Sequence, residues 1–283
     1  MRVVISGLLA ALALSGVGIA QPAPATPAAV EAAFQAALLR SPTPLSVRQD
    51  QADYLRERAE APGAEFVEAA DEGRLERLMR SAEVDLRAAT AAARLDELVE
   101  SCLDLGAVDG CDGVAGGWLT GPEGRRLFWQ IQGGSTEEDG ITGGVLLLTE
   151  TNGRLEPAAW AFRGSSYDPP VLFQADGGLF VAVPGATFGA GRGDADLLFR
   201  WTPGAERPLT QIDSWSWRDD LAAKLPGLHA FGRVRIDYAE MVALTELWRE
   251  GDAGCCGTGG HVLIDFAILD GRLAVSEARL RDR

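Results

Sequence analysis

Four cysteines are the residues of this 283-residue chain whose type and spacing most directly suggest chemistry. They are Cys102, Cys111, Cys255 and Cys256, and the last two stand side by side in the stretch GDAGCCGTGG. An even number of cysteines in an exported chain favours disulfides. Cys102 can bond Cys111 while the adjacent pair bonds to itself, or the two pairs can be joined crosswise in two ways. Partly free thiols are the remaining alternative.

A bond between Cys255 and Cys256 would join Cα atoms about 3.8 Å apart across a trans peptide, below the usual lower limit of about 4.4 Å. The surrounding glycines would help the backbone to accommodate it. We therefore expect the oxidised pair to fix the tip of a β-hairpin, with His261 at the start of the return strand. A redox role stays open because strained disulfides are reduced more easily.

Metal chemistry has weak support from the spacing. Two cysteines and His261 lack the second Cys/His pair of a typical zinc site. Asp104, Asp109 and Asp112 do not follow the EF-hand pattern, so we expect a solvated acidic turn and leave calcium binding open. We predict no metal ligand and no cofactor.

Catalytic signatures are also missing. The chain has no GxSxG motif and no phosphate loop ending in Gly-Lys-Ser/Thr, and its 41 acidic residues single out no carboxylate pair. Cys256 and His261 could form a nucleophile–base dyad, although a cysteine beside another cysteine favours bonding over nucleophilic attack. We assign no catalytic residue and expect binding rather than catalysis.

Tryptophans are the candidate contacts for a ligand. Trp215 and Trp217, in DSWSWRDD, alternate and would share one side of an extended chain, where they could stack on a sugar or a partner. Packing in the core is the alternative, and His261 is a third candidate for binding. The other tryptophans fall in apolar runs and are predicted to be mostly core: Trp118, Trp129, Trp160, Trp201 and Trp248.

The amino terminus indicates export. Residues 1–20 carry one arginine, an apolar run and a small-residue end, which is the pattern of a signal peptide. The run is too short and too rich in Gly and Ser to favour a membrane anchor. Residues 21–29 form a Pro/Ala-rich leader. The sequence thus predicts a periplasmic or secreted protein with no membrane span after signal removal.

The net charge narrows the choice of partners. At pH 7 it is −15, and Lys224 is the only lysine. An acidic surface repels nucleic acid and attracts cationic proteins. We therefore expect no nucleic-acid binding and a cationic partner.

The residues before Cys102 read as helical, so a helical domain is expected over 30–102. EAAFQAALLR predicts a first helix that prolines then break. Ser46 with Gln49 suggests a capping box for a second helix. Apolar residues at three- and four-residue steps from 75 to 93 predict one long amphipathic helix.

Residues 103–283 read as a β-rich domain. Short apolar runs are separated by Asn152-Gly153, Asp176-Gly177 and Asp270-Gly271, which favour two-residue hairpin turns. WRDDLAAKL predicts one helix, and residues 238–248 fit helix or strand. The predicted fold class is α+β: an N-terminal helical segment followed by a mostly antiparallel β sandwich or barrel-like region.

Two stretches resemble exported bacterial proteins. Phe34, Leu38 and Leu39, followed by Gln51, Tyr54, Leu55 and Arg58, resemble the helical lysozyme-inhibitor-LprI-like domains. GDAGCCGTGGHVLIDFAILDGRL resembles the Cys-Cys hairpin of LppP/LprE-type lipoproteins. Both resemblances imply envelope proteins that bind. Together with the acidic charge, they make a cationic protein such as lysozyme, or an envelope glycan, the expected partner. We therefore expect an exported binding or envelope-protective protein, with an envelope-polymer hydrolase or a disulfide-based redox protein as alternatives.

Overall fold

The computed structural model describes residues 25–281 except 107, 137–139, 165 and 188–192. The fold is α+β, as predicted: helices come first and mostly antiparallel strands follow. The predicted signal peptide, 1–20, and residues 21–24 of the leader, 21–29, lie outside the described residues, whereas residues 27–29 of the leader belong to the first helix. No helix within the described part is long and apolar enough to cross a membrane.

Three helices form the amino-terminal layer. α1 (Pro27–Arg40), α2 (Pro44–Glu60) and α3 (Ala64–Ala82) are followed by the short α4 (Leu95–Val99), and α5 (Trp217–Lys224) lies among the strands. The break between α1 and α2 falls at the predicted prolines, and Pro44 opens α2, where a missing N–H costs no hydrogen bond. The first three helices enclose a small core of Val30, Ala37, Val47, Tyr54 and Leu78.

Two helix predictions are wrong. Ser46 does not cap α2, because it lies inside the helix and its Oγ accepts a hydrogen bond from Gln211 Nε2 at 2.8 Å. The long helix to residue 93 ends at Ala82. Beyond it the backbone is extended and pairs with residues 103–105: Arg87 N donates to Leu103 O at 2.8 Å, and Leu105 N donates to Asp85 O at 2.9 Å.

The remaining chain is mostly antiparallel β-structure. Its strands are β1 (Asp109–Thr120), β2 (Arg126–Thr136), β3 (Gly140–Thr151), β4 (Arg154–Ala161), β5 (Ser166–Tyr167), β6 (Val171–Ala175), β7 (Gly178–Val183), β8 (Gly185–Ala186), β9 (Leu197–Trp201), β10 (Leu209–Ile212), β11 (Leu228–His229), β12 (Val242–Arg249), β13 (Gly260–Leu269) and β14 (Arg272–Arg281). The ambiguous stretch 238–248 is therefore mainly strand, because β12 pairs with β13.

Three four-stranded meanders make up the sheets. The first has the order β1-β2-β3-β4, the second β6-β7-β9-β10 and the third β11-β12-β13-β14, while β5 pairs with β8 in a small ribbon. Asn152-Gly153, Asp176-Gly177 and Asp270-Gly271 form the predicted tight turns. Both residues of each turn have positive φ, from 48° to 78°, as type I′ hairpins require.

The sheets pack face to face in chain order. One core lies between the first and second sheets and includes Leu147, Val181 and Phe199. Another lies between the second and third sheets and includes Phe180 and Ile264. The far face of the first sheet is covered by the extended segment that precedes it. The second sheet is therefore buried on both faces, which explains its nearly continuous apolar strands.

Candidate functional site

The cysteines form two local pairs. Cys102 is bonded to Cys111 across nine residues at the junction between α4 and β1. The Sγ atoms of Cys255 and Cys256 face each other within an exposed turn. The bond to Cys111 leaves no place for a crosswise connectivity. Oxidation of the adjacent pair remains a prediction.

The Cys-Cys turn joins β12 to β13, as predicted, and His261 is an exposed residue at the start of β13. Asp252 organises the turn, since its Oδ2 accepts from Arg249 N at 2.7 Å and from Thr258 N at 2.8 Å. Of the five glycines between residues 251 and 260, which were expected to help the backbone, only some adopt unusual angles. Gly251 and Gly260 have positive φ, whereas the other glycines of the turn do not.

Trp215 and Trp217 do not share an exposed side, and for Trp217 the alternative of packing in the core is the one observed. Trp217 begins α5, is 1% exposed and packs edge-on against Phe266. Trp215 lies in the preceding bend and is partly exposed. The chain turns into α5 between them, so alternation along an extended strand does not apply. Trp217 belongs to the core, and Trp215 alone can contact a ligand.

The aspartates considered for calcium do not form a site. Asp104 is buried, and its Oδ1 accepts from the backbone N–H groups of Asp85 and Gly106, both at 3.1 Å. Asp109 and Asp112 are exposed in β1. Within the described ranges, no group of three or more His, Cys, Asp or Glu side chains could hold a metal ion.

An acid-rich cleft lies where α2 meets the ends of the strands. We call it the acidic cleft; its volume is about 550 Å³. Five acidic and three basic side chains line it: Asp50, Asp53, Glu57, Glu60 and Asp194 against Arg56, Arg77 and Arg163. The wall formed by the β-region includes Thr142 and Phe162. Sequence reasoning missed this cleft because its walls come from distant parts of the chain.

Arg163 joins the two walls of the acidic cleft. It follows β4, and its guanidinium contacts Asp50 through Nε and Asp53 through Nη2, the latter at 3.1 Å. Its Cζ lies 5.4 Å from the ring centre of Trp215. Nη1 is buried and has no hydrogen-bond partner among the described residues. Arg163 therefore couples α2 to the β-region and touches the partly exposed tryptophan.

Asp50 is the carboxyl group of the cleft with the most altered electrostatics. Its side chain is only 15% exposed, and burial raises its pKa even though Arg163, Arg74 and Arg77 act to lower it. Arg74, behind it, is fully buried and donates to Gln51 Oε1 at 2.9 Å and to Val47 O at 3.0 Å. A carboxyl with a raised pKa at a cleft can hold a proton at a higher pH than an exposed one.

A second polar cluster lies deeper, beside the start of β9. Asp196 is 3% exposed and accepts from Gly185 N at 2.7 Å and from the Tyr238 hydroxyl at 2.8 Å. Burial raises its pKa to about 7, and the nearby Asp194 adds to the increase. Asp194 pairs with Arg218 and accepts from Val234 N at 2.9 Å. This cluster braces the loops behind the acidic cleft.

Comparison with known proteins gives no relative from which a role could be transferred to this chain. Neither the protein-family models nor the curated proteins match this chain.

Proposed function

We propose that this chain is an exported binding protein that receives a basic group of a cationic partner in the acidic cleft. The observation that carries the proposal is the excess of five acidic over three basic side chains in the cleft lining. The chain as a whole has a net charge of −15, so the local and global fields favour the same kind of partner. Such complementarity mainly raises the rate of association.

The location and the partner are part of this proposal. A periplasmic or secreted location rests on residues 1–20, which the structure does not describe. A cationic lysozyme is the partner to test, because the α1–α2 sequence resembles lysozyme-inhibitor-LprI-like domains. That resemblance remains a prediction, as does the resemblance of the Cys-Cys hairpin to LppP/LprE-type lipoproteins.

The test measures association with a cationic lysozyme at low and moderate salt. Glu57→Gln with Glu60→Gln removes two exposed carboxylates of the cleft, and we expect the association rate at low salt to fall roughly three- to tenfold. Glu123→Gln with Glu240→Gln removes the same charge from exposed sites elsewhere and serves as the matched control. Equal slowing of both double variants would show that net charge, rather than the cleft, attracts the partner. Absence of binding would remove lysozyme as the partner.

An envelope-polymer hydrolase is the second candidate, and Asp50 favours it. A carboxyl whose pKa is raised by burial is suited to donate a proton to a leaving group. A turbid cell-wall suspension separates the two functions. Clearing by the protein alone, lost in a folded Asp50→Asn variant, would support hydrolysis. Inhibition of added lysozyme would support binding. A redox function has only the exposed Cys255–Cys256 turn in its favour.

A further inference from the structure

A second hollow adjoins the acidic cleft on the other side of the Arg163–Trp215 contact. It has a volume of about 420 Å³ and lies between the first turns of α2 and the bend that leads into α5. Its walls include Arg48, Gln49, Trp215, Ser216 and Asp219. We call it the tryptophan hollow. Its size falls within the range of about 300–1,000 Å³ typical of small-molecule sites.

The charges of the tryptophan hollow are balanced, unlike those of the acidic cleft. Two arginines, Arg48 and Arg218, face two aspartates, Asp213 and Asp219. Arg218 is already occupied, since it pairs with Asp194 and donates to Ala230 O at 2.9 Å and Gly232 O at 2.7 Å. The lining of this hollow therefore carries no net charge of its own, which favours a neutral molecule.

Asp213 shapes the bend, because its carboxylate accepts hydrogen bonds from backbone groups within the bend. Its Oδ1 accepts from Trp215 N at 2.9 Å and from Ser216 N at 3.0 Å. These bonds hold the indole and the hydroxyl at one wall of the hollow while α5 anchors the far side through the buried Trp217. The wall is thus preorganised by backbone contacts that a ligand does not need to break.

Two polar atoms at this wall lack a partner. Trp215 Nε1 and Ser216 Oγ are buried and make no hydrogen bond within the part of the chain that the structure describes. An indole N–H can only donate, and a serine hydroxyl can donate by turning its proton about the Cβ–Oγ bond. Both needs are met by a ligand that presents hydroxyl or carbonyl oxygens. Both atoms are covered here, so the Trp215 and Ser216 side chains must turn toward the hollow to meet such an oxygen, while the backbone bonds to Asp213 stay intact.

We propose that the tryptophan hollow binds a neutral saccharide. An indole offers a flat apolar surface to one face of a sugar ring, while donors and acceptors around it suit the hydroxyl groups at the ring edge. Gln49 and Asp219 supply acceptor oxygens, and Trp215, Ser216 and Arg48 supply donors. This site is separate from the acidic cleft and does not depend on binding of a basic partner.

Calorimetric titration of the mature protein tests the proposal with three oligosaccharides of equal length. Two are neutral, made of glucose or N-acetylglucosamine, and the third is cationic, made of glucosamine. We expect a neutral oligomer to bind and the dissociation constant to rise at least about tenfold in Trp215→Ala. Trp215→Phe keeps an aromatic ring and removes the N–H, so it should weaken binding by less.

Trp248→Phe is the matched control, because Trp248 is partly exposed at the Cys-Cys turn, away from this hollow. It should leave the affinity unchanged, and circular dichroism melting confirms that each variant is folded. The proposal is overturned if no neutral oligomer binds or if only the cationic oligomer binds. It is also overturned if binding survives in both Trp215 variants or weakens equally in Trp248→Phe. Binding of the cationic oligomer alone, weakened by Glu57→Gln with Glu60→Gln, would instead support the acidic cleft.

Discussion

Ionisation of Asp196 lowers the free energy of unfolding as the pH rises, which is the reverse of the usual effect of a carboxyl group. Burial lifts its pKa to about 7 from the ordinary 3.8. Between these values the folded chain holds a proton that the unfolded chain has released. Since the folded state binds more protons, raising the pH through this window destabilises it. The contribution of Asp196 is therefore most favourable below about pH 4 and is lost by about pH 7.

Replacement of Asp196 by asparagine should remove this dependence. Asparagine keeps one acceptor oxygen for Gly185 N–H and cannot ionise. We expect the free energy of unfolding of Asp196→Asn, relative to the wild type, to increase between pH 4 and pH 7 by on the order of 4 kcal/mol. Urea unfolding at a series of pH values measures it. Asp109→Asn, at an exposed position, is the control and should follow the wild-type profile. A constant difference between Asp196→Asn and wild type would contradict the prediction.

At this same scale, sequence reasoning found some site residues and missed others. The sequence offers the Cys102–Cys111 bond as one of several open pairings, and the structure selects it. The sequence indicated Trp215 as a ligand contact by its residue type and position. It indicated Trp217 on the same grounds, but Trp217 is in the core. Asp50 and Arg163 could not be connected from sequence, since they are far apart in the chain and an ion pair between distant segments leaves no periodic pattern.

Among the elements, the β12–β13 hairpin depends on glycine at position 257 for close approach, in addition to the positive φ of Gly251 and Gly260. A Cβ at Gly257 would lie 2.4 Å from Leu247 O, a backbone atom that cannot move aside easily. A Cβ at Gly254 would lie 3.5 Å from the Phe231 ring, which is ordinary van der Waals contact. Gly254 and Gly257 stand on either side of the cysteine pair. Substitutions at these two positions therefore distinguish the effect of close packing against Leu247 from the effect of the cysteine pair.

Alanine at each glycine tests this difference. Gly257→Ala should lower the free energy of unfolding by roughly 2–4 kcal/mol, because the hairpin must open to relieve the overlap. Gly254→Ala should change it by less than about 0.5 kcal/mol. Thermal and urea unfolding of both variants under non-reducing conditions measures the effect. Similar losses in the two would indicate that the cysteine pair, and not the approach to Leu247, constrains the turn.

Elements with strong local signals were predictable, whereas tertiary pairing decided the others. Asn152-Gly153 fixed a hairpin because both residues tolerate positive φ. Residues 83–93 keep a helical spacing of apolar side chains. The backbone hydrogen bonds of Arg87 with Leu103 and of Asp85 with Leu105 nevertheless place this segment beside residues 103–105. The stretch 238–248 fits the periodicity of a helix and that of a strand, and pairing with β13 makes most of it a strand.

For the whole molecule, attachment of the helical layer to the sheets is mainly polar. Thr43 Oγ1 donates to Trp160 O at 3.3 Å, and Gln211 Oε1 accepts from Leu45 N at 2.8 Å. Arg163 adds the charged contacts with α2. The apolar core of α1–α3 is separate from those between the sheets. The helical layer therefore depends on a few directional contacts for its position, and the acidic cleft lies along that junction.

Loss of Arg163 should loosen this junction more than loss of an exposed arginine. Arg163→Ala leaves Asp50 largely buried beside Asp53 without its closest cation, and removing one partner of a buried pair costs about 3–5 kcal/mol. Since Asp50 is still 15% exposed and Arg74 lies 4.0 Å away, we expect roughly 2–3 kcal/mol. Arg94→Ala is the control, because Arg94 and Asp96 form an exposed pair, a kind of pair that contributes little to stability.

Amide hydrogen exchange followed by mass spectrometry locates the effect of Arg163→Ala. Faster exchange should be concentrated in α2 and in the residues after β4, while strands of the third sheet keep their protection. The double change Asp50→Asn with Arg163→Met removes both charges and should recover part of the lost stability, because no unpaired charge stays buried. Uniformly faster exchange across all three sheets would mean that the helical layer and the sheets unfold as one unit. In that case Arg163 would serve the stability of the entire chain rather than the geometry of the cleft.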